Sequence, residues 1–351
     1  MTSPQSLAVG LVGAGRMGSF HAETLARRLP GVRLAAIADP APGAARELAS
    51  RLDCPVAYTE IGDLLADPEI EAVVIVTPAR THAGLVEAAA RAGKAVFCEK
   101  PMAVTLDEAD RAIAAAREAG VALQVGFNRR FDAGFRAAHE KITAGAVGTP
   151  QLLRSLTRDP KLHDPSRIPP WTIFLETLIH DFDALRYLNP GSEPVEVFSM
   201  ADALVRPDFK DRGLLDTAVV TIRFDNGAIA TAEANFEAVY GYDVRGEVKG
   251  SEGMLTLGDL RRTHVTAYGP AGAAAECVTY DQDLFHPAYV AELAAFTDSV
   301  RSGRTPAVTG EDARAALGMA LAAIGSVVTG GAVRVGDVRQ SPGYREPAVA
   351  R

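Results

Sequence analysis

The chain has 351 residues, 48% of them hydrophobic and 23% charged, with a formal net charge of −8. This length and apolar content suggest two globular domains, because one hydrophobic core seldom grows beyond about 250–300 residues. The acidic balance, without a lysine- or arginine-rich run, argues against nucleic acid and anionic membranes as partners.

The cysteines and the apolar segments indicate a cytoplasmic protein. Cys54, Cys98 and Cys277 have neither a pair spacing nor a metal-knuckle spacing, and a sparse, odd set of thiols is typical of a reducing compartment. The first residues lack a basic region, and Leu7–Val12 is too short for a signal peptide or a membrane span. No later stretch is long enough by sequence to cross a bilayer, so no membrane partner is expected.

Residues 1–127 alternate short apolar runs with alanine-rich amphipathic segments. Such near-continuous runs are typical of parallel strands that are buried on both faces. Between them, Thr105-x-x-Glu108 predicts a capping box, and Gly93 and Gly120 stand where left-handed helix C-caps are expected. The alternation predicts a doubly wound parallel sheet in an α/β fold. The runs are Leu7–Val12, Val32–Ala38, Ala72–Val76, Ala95–Cys98 and Val121–Val125.

A glycine-rich loop, Gly13-Ala-Gly-Arg-Met-Gly18, follows the first apolar run and opens a helix. In such a loop the first glycine permits a tight turn, the second lets the backbone approach a pyrophosphate, and the third allows close helix–strand packing. Asp39 follows Gly18 by 21 residues, where a carboxylate accepts hydrogen bonds from ribose hydroxyls and repels a 2′-phosphate. The spacing predicts NAD rather than NADP, although Arg16 is placed to reach a phosphate.

A lysine and a carboxylate–imidazole pair suggest dehydrogenase chemistry. Glu99-Lys100-Pro101 follows the run Ala95–Cys98, at the sheet edge where the reactive end of a bound dinucleotide lies. Glu176 and His180 stand four apart in a predicted helix and so share a face. Together these groups suit moving a hydride from a carbon while removing a proton from its oxygen. The alternatives are a solvated lysine and an ordinary helix-surface pair.

A metal site at His180-Asp-Phe-Asp183 is the other interpretation of the histidine and its neighbours. It lacks a third ligand at a suitable spacing, so no metal is expected.

From about Gly126 the pattern changes to alternation of apolar and polar residues. After a helix at Ala133–Ala144, the segments Leu215–Phe224 and Ala228–Phe236 flank Asp225-Asn-Gly227, which predicts a type I′-like turn. Val244–Lys249 and Met254–Leu257 flank a second turn signal, Gly250-Ser-Glu-Gly253. Helices are expected near Pro287–Ser302 and Glu311–Val328.

These patterns predict a second α/β domain with a large, open, mostly antiparallel sheet. The expected division is a nucleotide-binding domain at residues 1–127, a substrate-binding and oligomerisation domain at residues 128–340, and a surface tail at residues 341–351.

Taken together, the motifs resemble the glucose–fructose oxidoreductase / inositol dehydrogenase / rhizopine (Gfo/Idh/MocA) family over nearly the whole chain. Arg129-Arg-Phe-Asp132 and Tyr240-Gly-Tyr-Asp243 resemble its inositol 2-dehydrogenase branch in particular. The resemblance implies a Rossmann domain joined to an α/β domain whose open sheet forms homodimers or homotetramers. The other segments that carry it are Gly13–Gly18, Thr77-Pro78 with His82, Ala92–Pro101, Gly126–Asp132, Glu176–Asp183 and Gly250–Gly253.

The resemblance also implies a role for individual residues. Lys100 corresponds to the lysine beside the nicotinamide and the substrate hydroxyl, and His180 to the acid/base histidine. Glu176 would orient His180, although most members have aspartate there. The expected cofactor-binding residues are Gly13, Gly15, Arg16, Met17, Gly18, Asp39, Thr77, His82, Glu99 and Lys100, with a capping or packing role as the alternative for His82. The expected substrate-binding residues are Arg129, Asp159, Thr177, His180 and Tyr242.

The resemblance implies NAD-dependent oxidation of a secondary ring hydroxyl of a cyclitol or sugar to a ketone, with a small polyol as substrate. An aminocyclitol or sugar dehydrogenase of secondary metabolism would use the same residues. A non-catalytic regulator that senses NAD is the alternative outside enzymes, since a fold alone does not determine a function.

Overall fold

The computed structural model describes residues 6–162 and 164–340. By its contacts the chain divides into two units: Met1–Asn128 with Pro287–Arg314, and Arg129–His286 with Ala315–Arg351. The sequence pattern does not reveal that residues 287–314 return to the first unit. The predicted tail, residues 341–351, lies outside the described residues.

The first unit contains a six-stranded parallel sheet with the order β3-β2-β1-β4-β5-β6. The chain builds outward from β1 to β3 and then from β4 to β6, so the strand order reverses between β1 and β4. Ligands of doubly wound sheets bind at the carboxyl ends of the strands at this reversal. The strands are Leu7–Val12 (β1), Val32–Ala38 (β2), Val56–Tyr58 (β3), Ala72–Ile75 (β4), Ala95–Glu99 (β5) and Leu123–Gly126 (β6).

Helices connect these strands and begin and end largely where the sequence indicates. Thr105 Oγ1 accepts a hydrogen bond from the Glu108 N–H, and the Glu108 carboxylate accepts one from the Thr105 N–H, each at 3.2 Å, which confirms the capping box. Gly93 and Gly120 adopt φ angles of +73° and +66°, as predicted for C-caps. The helices are Arg16–Arg27 (α1), Ala44–Leu52 (α2), Ile61–Ala66 (α3), His82–Arg91 (α4) and Leu106–Ala119 (α5).

The second unit is built on a seven-stranded sheet with the order β12-β11-β7-β10-β9-β8-β15. Only the β7–β10 pair of this sheet is parallel among the described residues, which confirms the predicted mostly antiparallel sheet. β13 and β14 form a separate ribbon. The strands are Pro150–Arg158 (β7), Pro194–Asp202 (β8), Thr217–Phe224 (β9), Ile229–Asn235 (β10), Asp243–Gly250 (β11), Met254–Leu257 (β12), Arg261–Gly269 (β13), Gly272–Cys277 (β14) and Val333–Arg334 (β15).

Helices of the later chain complete both units. All residues of α9 except the first belong to the first unit. Leu293 and Phe296 of this helix join the core around β1 and β5. In the second unit, α7 packs on β7 and β10. The helices are Ala133–Thr143 (α6), Leu178–Tyr187 (α7), Asp281–Leu284 (α8), His286–Ser302 (α9) and Gly310–Thr329 (α10).

The two faces of the large sheet differ in exposure. Along β9, Ala218, Val220 and Ile222 are buried, while Val219 and Thr221 point to the other, open face. Several large apolar side chains of the open face are exposed, namely Leu152, Phe198, Met200, Val219, Ile229 and Met254. An exposed apolar set of this size on one face is typical of an interaction surface.

The turn between β9 and β10 differs from the predicted type I′ turn. A type I′ turn needs positive φ at both central residues, whereas in this hairpin Gly227 alone has positive φ, at +86°. The Gly227 N–H donates to the Phe224 carbonyl, and the Asn226 side chain accepts from the Ala228 N–H at 3.0 Å. The turn is therefore type I with a glycine bulge, because the asparagine side chain bonds locally while its backbone keeps negative φ.

Within residues 6–162 and 164–340, one helix, α10, has the length and composition of a membrane span, so the expectation that no stretch is long enough was wrong. In the protein 67% of its most apolar 18-residue window is buried. A buried core helix passes the same test.

The close approach of α1 to β1 generates a stability prediction. A Cβ atom added at Gly18 would lie 1.9 Å from the Gly13 carbonyl oxygen, so Gly18→Ala forces the helix away from the strand. Gly84, inside α4, has no atom within 4 Å of an added Cβ, and Gly84→Ala is the matched control. We expect Gly18→Ala to destabilise the protein by more than about 1 kcal/mol and Gly84→Ala to stabilise it by roughly 0.5–1 kcal/mol, measured by urea unfolding. Equal stability of Gly18→Ala and the wild type would contradict the packing argument.

Candidate active site and cofactor loop

The glycine-rich loop lies between β1 and α1 at the strand-order reversal. Gly13 adopts a φ of +103°, and an added Cβ would lie 2.5 Å from the Val76 carbonyl oxygen. Gly15 precedes the first residue of α1, and an added Cβ there would meet nothing within 4 Å. The space beside Gly15, at the N-terminus of α1, is thus open, and a helix N-terminus favours an anion. These residues fit a dinucleotide pyrophosphate.

Asp39 stands directly after β2 and holds the loop. Its carboxylate accepts hydrogen bonds from the Ala14 N–H at 2.6 Å and from the Ala41 N–H at 2.8 Å. The side chain therefore has a structural role in the loop as well as the predicted role in ribose binding. Arg16 and Met17 open α1, Arg16 exposed and Met17 half-buried.

His82, the first residue of α4, joins two loops at the carboxyl edge of the sheet. Its Nδ1 lies 2.8 Å from the Pro101 carbonyl oxygen, and its Nε2 lies 2.7 Å from the Thr77 carbonyl oxygen. Burial lowers the pKa of His82, and the two carbonyl contacts, which favour the protonated ring, offset part of that effect. This side chain fixes the segments that carry Thr77 and Lys100.

Lys100 follows the last residue of β5 and is half-buried. Its backbone N–H donates to Glu99 Oε2 at 3.1 Å. Glu99 Oε1 lies 2.7 Å from Nε2 of His21, a fully buried residue of α1. Burial by itself would raise the pKa of Glu99, but the His21 contact and the charge of Lys100 bring it below its usual value. The environment of Glu99 therefore favours the ionised carboxylate next to Lys100.

The sequence interpretation missed two residues beside Glu99: His21, which contacts its carboxylate, and Glu292, which lies within 4.8 Å of both. His21 lies on the face of α1 that also buries Gly18, Ala22 and Leu25, so a histidine on an apolar helix face was the available signal. Glu292 comes from α9, which is distant in sequence, and no local pattern indicates its position.

In the second unit, Glu176 and His180 lie in one helical stretch that is not a regular α-helix. Residues Ile173–Thr177 form a π-helical turn that leads into α7. Trp171, just before it, has a φ of +63°, a rare value for a bulky residue. Single π turns are frequent at functional sites, because the wider turn changes the direction of its side chains.

The exposure of this stretch singles out three residues. From position 173 to position 185, only Glu176, Thr177 and His180 are partly exposed, and the others are buried. The predicted acid/base pair and the predicted substrate contact Thr177 therefore share the open side of an otherwise buried helix.

A buried ion-pair network holds this helix on the sheet. Asp181, next to His180, lies 2.7 Å from Arg129 Nη1 and accepts hydrogen bonds from Ser155 Oγ at 2.5 Å and Thr157 Oγ1 at 2.7 Å. The Arg129 guanidinium also donates to Thr157. Since Arg129 is only 2% exposed, its observed partners are protein groups, and a contact with substrate stays a prediction.

Tyr242 and Asp159 lie near this network. Tyr242 is 8% exposed, and its ring packs edge-on against Phe285. Burial raises the pKa of Tyr242 well above its usual value, with a further contribution from the negative charge of Asp159 and an opposing one from Arg129. The structure thus groups Tyr242, Asp159 and Arg129 in the second unit.

The predicted residues fall into two sets, one in each unit. The first unit carries the glycine loop, Asp39, Thr77, His82, Glu99 and Lys100 at the carboxyl edge of the parallel sheet. The second carries Arg129, Asp159, Glu176, Thr177, His180 and Tyr242. One set is chemically suited to a dinucleotide, and the other offers an imidazole, carboxylates and hydroxyls.

Comparison with known proteins identifies relatives over almost the entire chain. Residues 7–127 match the model of an oxidoreductase family with an NAD-binding Rossmann fold, and residues 135–256 match the GFO/IDH/MocA C-terminal domain. The NAD(+)-dependent scyllo-inositol 2-dehydrogenase of Bacillus subtilis is 38% identical over 332 residues, 94% of this chain and 96% of that protein. The myo-inositol 2-dehydrogenase of Thermotoga maritima is also 38% identical, over 94% of this chain and 99% of that protein.

Solved structures agree with these matches. Scyllo-inositol dehydrogenase from Lactobacillus casei, with bound NAD(H) and scyllo-inositol, superposes with a TM-score of 0.89 at 27% identity, covering 94% of this chain and 99% of that one. A myo-inositol dehydrogenase from Corynebacterium glutamicum gives a TM-score of 0.87 at 29% identity, over 94% and 98% of the two chains. The predicted fold class and the predicted NAD cofactor are confirmed. The protein is an NAD-dependent dehydrogenase that belongs to the Gfo/Idh/MocA family of oxidoreductases.

Proposed function

We propose that this protein oxidises one secondary ring hydroxyl of an inositol, or of a closely related cyclitol, to a ketone with NAD. The observation that carries the proposal is the open helix side formed by Glu176, Thr177 and His180, in a chain whose first unit keeps the complete NAD loop. The names of the relatives, scyllo- and myo-inositol 2-dehydrogenases, support the substrate class.

Each residue has one step in the proposed reaction. Bound NAD supplies the hydride acceptor. The loop from Gly13 to Gly18 and Asp39 hold its pyrophosphate and ribose. His180 accepts the hydroxyl proton on a ring nitrogen, Glu176 orients that ring, and the Lys100 ammonium stabilises the developing alkoxide by charge and a hydrogen bond. The C–H bond breaks as the hydride leaves, and the electrons of the O–H bond form the carbonyl.

The polyol is proposed to be held by residues of the second unit. Thr177 is the foremost of these, because its hydroxyl shares the open side of the helix with His180. Asp159 and Tyr242 are proposed to contact further hydroxyls. Arg129 is proposed to act mainly through Asp181, to which its guanidinium is bound.

Two other functions remain as rivals. An aminocyclitol or sugar dehydrogenase of secondary metabolism would use the same acid/base set on a different ring. A regulator that senses NAD would bind the cofactor without turnover. Product formation from a panel of polyols separates all three.

We further propose a cytoplasmic homo-oligomer, a dimer or tetramer, assembled through the open face of the large sheet. The exposed apolar side chains of that face, including Phe198, Met200 and Val219, support this proposal. Light scattering of the purified protein measures its mass directly.

The test of the reaction compares myo-inositol, scyllo-inositol and scyllo-inosamine at saturating NAD, with NADH formation as the measurement. We expect turnover of an inositol by the wild type and a fall in kcat of roughly 100-fold or more in Lys100→Met, because an electrostatic stabiliser is lost. Lys141→Met, on the exposed side of α6, is the matched control and should keep wild-type activity. NADH formation with the inosamine alone would favour the aminocyclitol rival, and NAD binding without turnover would favour the regulator.

Cofactor preference depends on Asp39. We expect the wild type to prefer NAD, and Asp39→Asn to narrow the ratio of kcat/KM for NAD over NADP by about 10-fold or more, since a charged hydrogen bond contributes about 1.5–3 kcal/mol. Asp39→Asn keeps one oxygen for the Ala14 N–H of the glycine loop and replaces the oxygen that accepts from the Ala41 N–H, so it removes the charge while the contact with the loop remains. Asp63→Asn, on α3, is the control. A wild type that prefers NADP would shift the assignment to Arg16.

The role of Glu176 is tested by the dependence of rate on pH. His180 must be neutral to accept a proton, so kcat/KM for oxidation should rise with pH as the ring loses its proton. A neighbouring carboxylate favours the protonated ring, and Glu176→Gln should therefore move the midpoint to lower pH. The same variant should lower kcat by roughly tenfold or more, because the ring loses its orienting group.

Two further variants complete that experiment. Glu176→Asp should be partly active and clearly faster than Glu176→Gln. Glu140→Gln, exposed on α6, should match the wild type. An unchanged rate and midpoint in Glu176→Gln, with folding verified by circular dichroism, would mean that Glu176 has no part in the proton transfer.

A further inference from the structure

A cluster of three ionisable side chains is buried inside the first unit, beneath Lys100. It consists of His21 on α1, Glu99 at the end of β5 and Glu292 on α9, which are 0%, 8% and 0% exposed. One ligand-type atom from each residue lies within 4.8 Å of the others. We call these three residues the buried acid cluster. Two carboxyl groups packed together away from water need an explanation, because a second buried charge of the same sign is strongly unfavourable.

Glu99 is the charged member of the buried acid cluster. Its Oε1 lies 2.7 Å from His21 Nε2, and its Oε2 accepts from the Lys100 N–H. It also faces the charge of Lys100, which favours its ionised form. One carboxylate thus links α1, whose N-terminus faces the pyrophosphate, to the residue proposed to stabilise the alkoxide.

Glu292 is the neutral member. Burial raises the pKa of Glu292 well above its usual value, and the charge of Glu99 raises it further. Gln124 of β6 donates to the backbone carbonyl of Glu292, not to its carboxyl group. Within the described residues, both Glu292 carboxyl oxygens and His21 Nδ1 are buried without a hydrogen-bond partner. A protonated Glu292 carries a donor, and Glu99 and His21 each place a potential acceptor atom within 4.8 Å of its carboxyl group.

A metal ion fits this geometry poorly. Two ligands of one tetrahedral zinc lie about 3.3 Å apart, given metal–ligand distances of roughly 2.0–2.2 Å. The His21–Glu99 contact of 2.7 Å is shorter and is a direct hydrogen bond. The cluster is therefore suited to hold a proton.

We propose that Glu292 and His21 are positioning residues for Lys100: the neutral carboxyl group of Glu292 and the His21 ring hold the Glu99 carboxylate in place, and Glu99 holds the backbone of Lys100. This proposal rests on the proposed function, in which Lys100 acts on the reacting hydroxyl. The proton on the Glu292 carboxyl group stays in the protein and does not take part in the proton transfer at His180.

The protonation of Glu292 is tested by stability, without any substrate. An acid whose pKa is raised on folding loses stability as pH rises from its unfolded value of about 4.3 toward its folded value, because the unfolded chain releases the proton first. Glu292→Gln removes this loss. The melting temperature of Glu292→Gln minus that of the wild type should increase by roughly 2–4 °C per pH unit between pH 5 and pH 8. If the difference in melting temperature between Glu292→Gln and the wild type does not change with pH, the assignment of a neutral Glu292 is overturned.

The positioning role is tested by activity per NAD-binding site, with the number of sites counted by calorimetry. Glu292→Gln and His21→Gln retain a donor and should keep kcat within about threefold of the wild type. Glu292→Met and His21→Leu remove the donor and should lower kcat by about tenfold, with the dissociation constant of NAD within about threefold. Glu118→Met, exposed on α5, is the matched control. Assays at saturating NAD favour the folded state of weakened variants.

The possible results separate the two proposals. Wild-type turnover per site in Glu292→Met overturns the positioning role, as does a tenfold loss in a folded Glu292→Gln. One equivalent of bound zinc in the wild type that is lost in Glu292→Gln overturns the proton in favour of a metal. Absence of turnover by the wild type on every cyclitol contradicts the proposed function, whereas the pH dependence of stability still reports on Glu292.

Glu292→Asp is the variant to use if neither donor-free variant folds. Its donor is displaced by one methylene, so its kcat should lie between those of the wild type and a donor-free variant. A wild-type kcat in Glu292→Asp overturns the positioning role.

Discussion

The burial of the Glu99 carboxylate is the constraint on which the first unit depends. A buried charge is tolerated only when it is hydrogen-bonded and paired, and Glu99 meets this condition through His21 and the Lys100 N–H. Because Glu99 is the last residue of β5, the contacts that stabilise its charge also position the backbone of Lys100. His82 fixes the next residue, Pro101, from the other side. The satisfaction of a buried charge and the placement of the predicted catalytic lysine thus involve one carboxylate.

A second buried carboxylate, Asp181, has the corresponding role in the other unit. Arg129, Ser155 and Thr157 surround it, so charge-assisted hydrogen bonds attach the helix to the sheet next to the predicted acid/base residue, His180. Removing one partner of such a network leaves a buried charge unpaired, which typically costs about 3–5 kcal/mol. In both units, a side chain that is predicted to act in the reaction stands next to a buried acid in the sequence: Lys100 follows Glu99, and His180 precedes Asp181.

Whether a prediction from the sequence was correct depends on how far apart the interacting residues are along the chain. Strands, caps and the glycine loop depend on neighbours a few residues apart, and the capping box at Thr105 and the C-caps at Gly93 and Gly120 are found as predicted. The strand Val56–Tyr58 is absent from the predicted runs, because a strand of three residues, two of them half-buried and Ala57 exposed, leaves a weak apolar signal. The turn at Asn226 differs because Phe224 and Ala228 close a three-residue loop, in which Gly227 and not Asn226 adopts the positive φ.

By itself the sequence determined the fold class, the NAD loop, the family and the set of chemical groups, since these depend on local patterns and on motifs of fixed spacing. Only the tertiary structure decided which residues surround those groups. Glu292 reaches Glu99 across nearly two hundred residues, and Arg129 reaches Asp181 across 52. The return of residues 287–314 to the first unit and the π turn at Ile173–Thr177 likewise have no local signature. The physical reason is burial: a charged group in the interior takes its partners from whichever elements the packing brings to it, whatever their separation along the chain.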